Sequence, residues 1–137
     1  MNTLIKNATI VTMDEENPVI HNGYITIVND RIAYVGQAAP EEFLPQIILD
    51  ATGRVVLPGL INAHTHTPMV LLRSYADDLP LQEWLFDKIF HIEDKFTEED
   101  IYWASTLGIM EMLRSGVTCF ADIYFCMDEI AKVVHKS

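Results

Sequence analysis

The sequence has 137 residues, of which 50% are apolar and 21% charged, the composition of a globular chain long enough for one ordinary domain. Its net charge of −11 repels phosphate backbones and anionic lipid, so neither nucleic acid nor a membrane is expected as a partner. No run reaches the ~18 consecutive apolar residues of a membrane span, and Met1-Asn2-Thr3-Leu4-Ile5-Lys6 lacks the basic and apolar regions of a secretory signal.

In chain order, the first part reads as short β-strands and turns. Thr3 to Met13 is rich in Ile, Val and Thr. Residues 24–28 and 31–35 flank Asn29-Asp30, which predicts a hairpin with a two-residue turn. Asn22-Gly23 is expected to form the turn before it, and residues 38–42 a loop or short helical turn. Residues 47–50 and 54–57 flank Ala51-Thr52-Gly53 and suggest a second hairpin. Residues 1–56 are accordingly assigned to part of a small β-sandwich domain.

The pattern changes at Pro58-Gly59. Leu60-Ile61-Asn62-Ala63-His64 is a short apolar run, predicting a strand buried on both faces. A polar loop follows to Asp77-Asp78-Leu79-Pro80. Pro80 suits the first turn of a helix that Leu81, Trp84, Leu85 and Ile89 continue at helical spacing. Thr97-Glu98-Glu99-Asp100 resembles a capping box opening a long helix to about Ser115, with Gly116 as its C-terminal cap. Val117 to Asp122 predicts the next strand, and Met127 to Val134 another helix. Strand, helix, strand, helix predicts an α/β fold with a parallel sheet or barrel across residues 57–137.

The sharpest chemical feature is His64-Thr65-His66. Side chains at i and i+2 of a strand share a face, and two imidazoles there can close on one metal at about 2.0–2.1 Å. The pair follows a buried strand, at the end where parallel barrels build active sites. Imidazoles suit zinc, iron or nickel. The competing reading is two histidines straddling a threonine by chance. His21 and His91 have no partner at ligand spacing, and His135 reads as solvated. Cys119 and Cys126 match no zinc-knuckle or disulfide pattern, so both are expected as buried thiols in a reducing cytoplasm. Asp122 ends the second strand, where it serves the site or caps a turn. Glu111 reads as a surface charge on the long helix. Gly108 reads as a point of close helix–sheet approach.

Pro58-Gly59-Leu60-Ile61-Asn62-Ala63-His64-Thr65-His66 resembles the first barrel strand of the amidohydrolase superfamily, whose HxH supplies two metal ligands. Adding Thr67-Pro68-Met69, Leu71-Leu72-Arg73, Asp77-Asp78-Leu79, Trp84-Leu85 and Ile92-Glu93-Asp94, the chain resembles the 5-methylthioadenosine/S-adenosylhomocysteine deaminases and their chlorohydrolase relatives. The resemblance implies the start of a (β/α)₈ TIM-type barrel after the N-terminal strands of a β-sandwich. It implies one divalent metal, usually zinc though Fe²⁺ or another ion is conceivable, held by His64 and His66. It implies Glu93 on the ribose hydroxyls of a small nucleoside and Trp84 as an aromatic wall beside it. Against those roles stand a solvated helix-end charge for Glu93 and a helix core residue for Trp84. No catalytic group beyond the metal ligands falls within these residues.

A full barrel takes about 250 residues, and residues 58–137 number 80, so an incomplete chain is expected, inactive alone. The expected reaction of the parent is hydrolytic deamination of an adenosine-type nucleoside. The alternatives are an aminotriazine, chlorotriazine or purine-base aminohydrolase, or a non-catalytic truncated product. A homo-oligomer is compatible with all of these.

Overall fold

The structure is a computed structural model describing residues Met1–Ser137. The chain divides into two compact units, Met1–Pro58 and Gly59–Ser137.

The first unit is a five-stranded sheet: β1 (Asn2–Val11), β2 (Val19–Val28), β3 (Arg31–Gly36), β4 (Ile47–Asp50) and β5 (Val55–Val56), in the order β3-β2-β1-β4, with β5 also on β1. The predicted hairpin is present. β2 and β3 pair antiparallel with Val28 opposite Arg31, and Asn29 takes the left-handed φ of 57° that Asn tolerates. Ala8, Ile10, Ile25 and Ala51 form the core, and Ile5, Ile20, Ile27 and Val56 pack around it.

Two turn expectations are corrected. Asn22-Gly23 is not a turn but an irregularity inside β2, with Asn22 at φ 51° and the β1–β2 register slipping between Ala8 and Ile10. The reversal itself lies further back, where the Thr12 N–H donates to the Pro18 carbonyl. The second hairpin does not form either. β4 and β5 both run parallel to β1, with Lys6 opposite Asp50 and Thr9 opposite Val55. They are one edge strand interrupted by a turn closed by Arg54 N–H on the Ala51 carbonyl. Asp50 stabilises that turn by accepting from the Thr52 N–H (3.0 Å) and hydroxyl (2.6 Å). A local Asx turn thus supplies an interruption that a three-residue gap makes look like a hairpin.

The second unit holds two parallel strands, β6 (Leu60–Thr65) and β7 (Val117–Asp122). Between them come a 3₁₀ helix over Thr67–Leu72, where a polar loop was expected, then α1 (Leu81–Glu83), a π-helical stretch (Trp84–Ile89), α2 (Phe90–Glu93) and α3 (Glu98–Arg114); α4 (Met127–Lys136) follows β7. Pro80 precedes α1 as its N-cap. The wide turn is marked by the Phe90 N–H bonding the Leu85 carbonyl, five residues back. Thr97 and Asp100 exchange capping-box hydrogen bonds at the start of α3. Gly116 closes its end at φ 82°, where a Cβ is disfavoured. Three acidic residues fill the first turn and Arg114 the last, both favourable to the helix dipole. Ile89, Ile101, Ala104, Ile109, Ile130 and Val133 are buried here.

β6 was expected to be buried on both faces, yet Leu60 is 51% and Ile61 72% exposed. β7 is the only strand paired with it, so the apolar run exceeds what these residues cover. The thiols are likewise not buried: Cys119 is exposed and Cys126 partly so.

Candidate metal centre

His64 lies near the end of β6, and His66 follows just beyond the strand as the N-cap of the 3₁₀ helix. The two sit two residues apart, and their Nε2 atoms converge to 3.3 Å with the rings nearly perpendicular. Two metal–nitrogen bonds of 2.0–2.1 Å meeting at a tetrahedral angle span about 3.3–3.4 Å. The separation therefore fits two ligands of one ion. It also fits an N–H···N hydrogen bond from His64 to His66.

The tautomer of His66 is set by its neighbour. Nδ1 lies 2.5 Å from the carbonyl oxygen of Ile123. A carbonyl only accepts, so Nδ1 carries the hydrogen and the Nε2 lone pair of the neutral ring is left for a cation. This is the usual orienting contact of a metal-ligating histidine. The Ile123 N–H in turn donates to the Thr65 carbonyl at 3.2 Å. The residue after β7 thus fastens the end of β6 through both of its main-chain groups.

The segment after His66 is held from two sides. The Thr67 N–H donates to the Asp122 carboxylate at 3.2 and 3.4 Å. Asp122 therefore caps the start of the 3₁₀ helix that follows His66. Arg73, at the end of the 3₁₀ helix, forms a two-pronged pair with Glu111 of α3 at 3.2 and 2.7 Å. That hydrogen bonding lowers the Glu111 carboxyl and raises the Arg73 guanidinium from their ordinary values. Glu111 is thus a tether between elements and not a free surface charge. Gly108 permits a close approach, but of α3 to the 3₁₀ helix and not to the sheet. A Cβ there would meet Thr67 Cγ2 at 2.6 Å and the Thr67 carbonyl at 3.1 Å. The Thr67 hydroxyl is buried without a hydrogen-bond partner.

Glu93, at the end of α2, accepts a 2.6 Å hydrogen bond from the Tyr124 hydroxyl. Tyr124 lies beside His66, with ring centroids 6.4 Å apart, and stacks on Phe125 at 4.3 Å. Burial first, then the hydrogen bond to Glu93, push the Tyr124 phenol far above its ordinary value, so it stays a donor. His64, His66 and Glu93 are thereby linked into one neighbourhood through Tyr124. Trp84 is not part of that chain of contacts. It lines a shallow depression with Ala76, Asp77, Asp78, Leu79 and Leu81.

Sequence reasoning overlooked Ile123 and Tyr124. The signal available was position: both follow directly on β7, at the end of the strand that neighbours the HxH. No group of three or more His, Cys, Asp or Glu side chains converges anywhere in the chain.

Comparison with known proteins places the chain among characterised relatives. Residues 55–137 match the amidohydrolase family. A 5-methylthioadenosine/S-adenosylhomocysteine deaminase of Thermoanaerobacter pseudethanolicus is 48% identical over 136 residues, 99% of this chain and 31% of that protein. One from Moorella thermoacetica is 53% identical over 133 residues, 96% of this chain and again 31% of the relative. Among solved structures, an adenosine deaminase from Xanthomonas campestris with bound zinc superposes with a TM-score of 0.90 at 36% identity, covering 98% of this chain and 31% of that one. A triazine hydrolase from an Arthrobacter shares the fold at a TM-score of 0.86 and 22% identity, over 98% of this chain and 33% of its own. The chain thus spans about a third of the length of the relatives it matches. With the family matched across the β6–β7 unit and relatives near half-identical along almost the whole chain, the chain belongs to the amidohydrolase family.

Proposed function

We propose that this chain supplies the first two metal ligands and a substrate-binding carboxylate of an enzyme that hydrolytically deaminates adenosine-type nucleosides such as 5-methylthioadenosine or S-adenosylhomocysteine. In this reading β1–β5 belong to a β-sandwich, and β6 and β7 are the first two strands of a (β/α)₈ barrel whose other strands lie outside these residues. The carrying observation is the 3.3 Å convergence of two imidazole Nε2 atoms, one of them oriented by a main-chain carbonyl. A divalent ion such as zinc, when bound, supplies the acidified water that displaces ammonia from a purine ring.

The residues of this chain do the rest of what is assigned to it. His64 and His66 bind the ion; Ile123 orients the His66 ring, and Asp122 holds the Thr67 N–H that follows it. Glu93 accepts hydrogen bonds from a vicinal diol, for which a charged acceptor is well suited. Trp84 is assigned to the nucleoside wall on family likeness alone. Two ligands leave half of a tetrahedral shell open, so the 137-residue chain by itself is expected to hold zinc weakly and to be inactive. The enzyme is assigned to the cytoplasm, working on a small molecule.

The test is ammonia release by the full-length protein carrying this sequence, loaded with zinc, from a panel of S-adenosylhomocysteine, 5-methylthioadenosine, guanine and a chlorotriazine. The nucleosides are expected to be the preferred substrates. Glu93→Ala should raise KM for them far more than it lowers kcat. Faster turnover of the triazine or the free base would remove the nucleoside assignment.

A further inference from the structure

Two consecutive residues, Ile123 and Tyr124, reach two different functional groups. The Ile123 main chain holds His66, and the Tyr124 hydroxyl holds Glu93 at 2.6 Å. We infer that this dipeptide is a positioning clamp that fixes the ribose-binding carboxylate relative to the metal ligands, with Tyr124 as the residue that sets diol selectivity. The inference rests on the nucleoside reading of Glu93 above.

The physical case starts from the lone pairs. A carboxylate has about four acceptor sites. Tyr124 occupies one on Oε1 and so fixes the plane of the group, which otherwise rotates about a terminal torsion with broad, shallow preferences. A fixed plane presents the remaining acceptor sites at one spacing, which a vicinal diol can meet with two hydroxyls at once. The clamp base is rigid: Ile123 is bonded to the β6 end through both its N–H and its carbonyl, and the Tyr124 ring stacks on Phe125. The phenol is also partly desolvated and next to His66, so water competes poorly for the bond. Neither contact involves the metal directly, and the side chain of Tyr124 can be altered without touching the Ile123 carbonyl.

The experiment measures dissociation constants of the zinc-loaded full-length protein for a non-reactive nucleoside analogue and for its 2′,3′-dideoxy counterpart. The quantity read is their ratio, the diol preference. Tyr124→Phe, which removes one oxygen and keeps the stacked ring, is expected to cut the preference about three- to tenfold. Affinity for the dideoxy compound and for zinc should stay within about twofold, and the melting temperature should show that the variant is folded. Glu93→Ala is measured alongside. If it abolishes the preference while Tyr124→Phe leaves it intact, the clamp is overturned and the ribose role stands. If Glu93→Ala leaves the preference intact, the ribose role falls and the clamp with it. Equal weakening of both ligands by Tyr124→Phe marks a general packing role and also overturns the clamp. A second variant, Tyr124→Leu, is expected to cut the preference at least as far as Tyr124→Phe; full preference in the leucine protein would equally overturn it.

Discussion

Gly108 of α3 lies so close to Thr67 that a single added carbon would sit 2.6 Å from the threonine Cγ2. Thr67 follows His66 directly, so the missing side chain at one position keeps the neighbour of a proposed metal ligand in place.

Gly108→Ala is therefore expected to destabilise the second unit by about 1 kcal/mol. The overpacking penalty of about 1–3 kcal/mol outweighs the helix-propensity gain of about 1 kcal/mol. The displaced Thr67 should also weaken zinc binding. Gly116→Ala offers the contrast, because no atom lies within 4 Å but φ is 82°. It should cost about 1 kcal/mol from backbone strain alone and leave zinc affinity unchanged. Urea unfolding and zinc titration on both variants separate the two causes, and equal zinc affinity in both would contradict the packing argument.

Zinc affinity of the 137-residue chain, measured by competition with a chromophoric chelator, should be weak and depend on both rings. His64→Ala or His66→Ala is expected to lower it by more than about tenfold. Unchanged affinity in either variant would mean that the ion sits elsewhere.

Asp122→Ala removes the acceptor of the Thr67 N–H. Loss of about 1 kcal/mol in stability is expected for a partly buried donor left unpaired. Zinc binding should weaken in parallel, since the turn carrying His66 loses a support. A variant as stable and as tight as the parent would show that the contact does not hold the turn.

Acid sensitivity of the first unit should include a contribution from Asp50. Its carboxyl is held down at about 2 by the Thr52 hydroxyl, then the Thr52 N–H, Asn7 and Lys6. The folded-state value lies below the ordinary aspartate value of 3.8. The stabilisation is therefore complete above about pH 4 and is lost as pH falls from there toward 2. Asp50 is exposed, so the effect is small and screened by salt. Unfolding midpoints of the parent and Asp50→Asn should differ at pH 6 and converge near pH 2; a constant difference would exclude this origin.

Much of the second unit was legible in the sequence because its signals are local. Thr97 and Asp100 cap α3 three residues apart, Gly116 ends it, and the HxH needs only the two-residue period of a strand. Turn chemistry in the first unit was less legible. Asn22-Gly23 has the composition of a hairpin turn, but the pairing of Ala8 with Gly23 and Ile10 with Ile20 places it in a bulge. Ala51-Thr52-Gly53 separates two strands that both pair with β1, which local composition cannot reveal. The supports of the candidate site were the least visible. A carbonyl from Ile123 has no side-chain signature, and the Tyr124–Glu93 and Arg73–Glu111 contacts span 31 and 38 residues.

The π-helical stretch over Trp84–Ile89 also bears on how tolerant this region is to changes of length. Each residue of an ordinary α-helix turns the chain by about 100°. Taking one residue out of the widened turn is thus chiefly a rotation: whatever lies before it swings by roughly that angle about the axis relative to Glu93. Trp84 and Glu93 are angularly geared to one another, and a one-residue deletion there should misalign them even where every side chain survives.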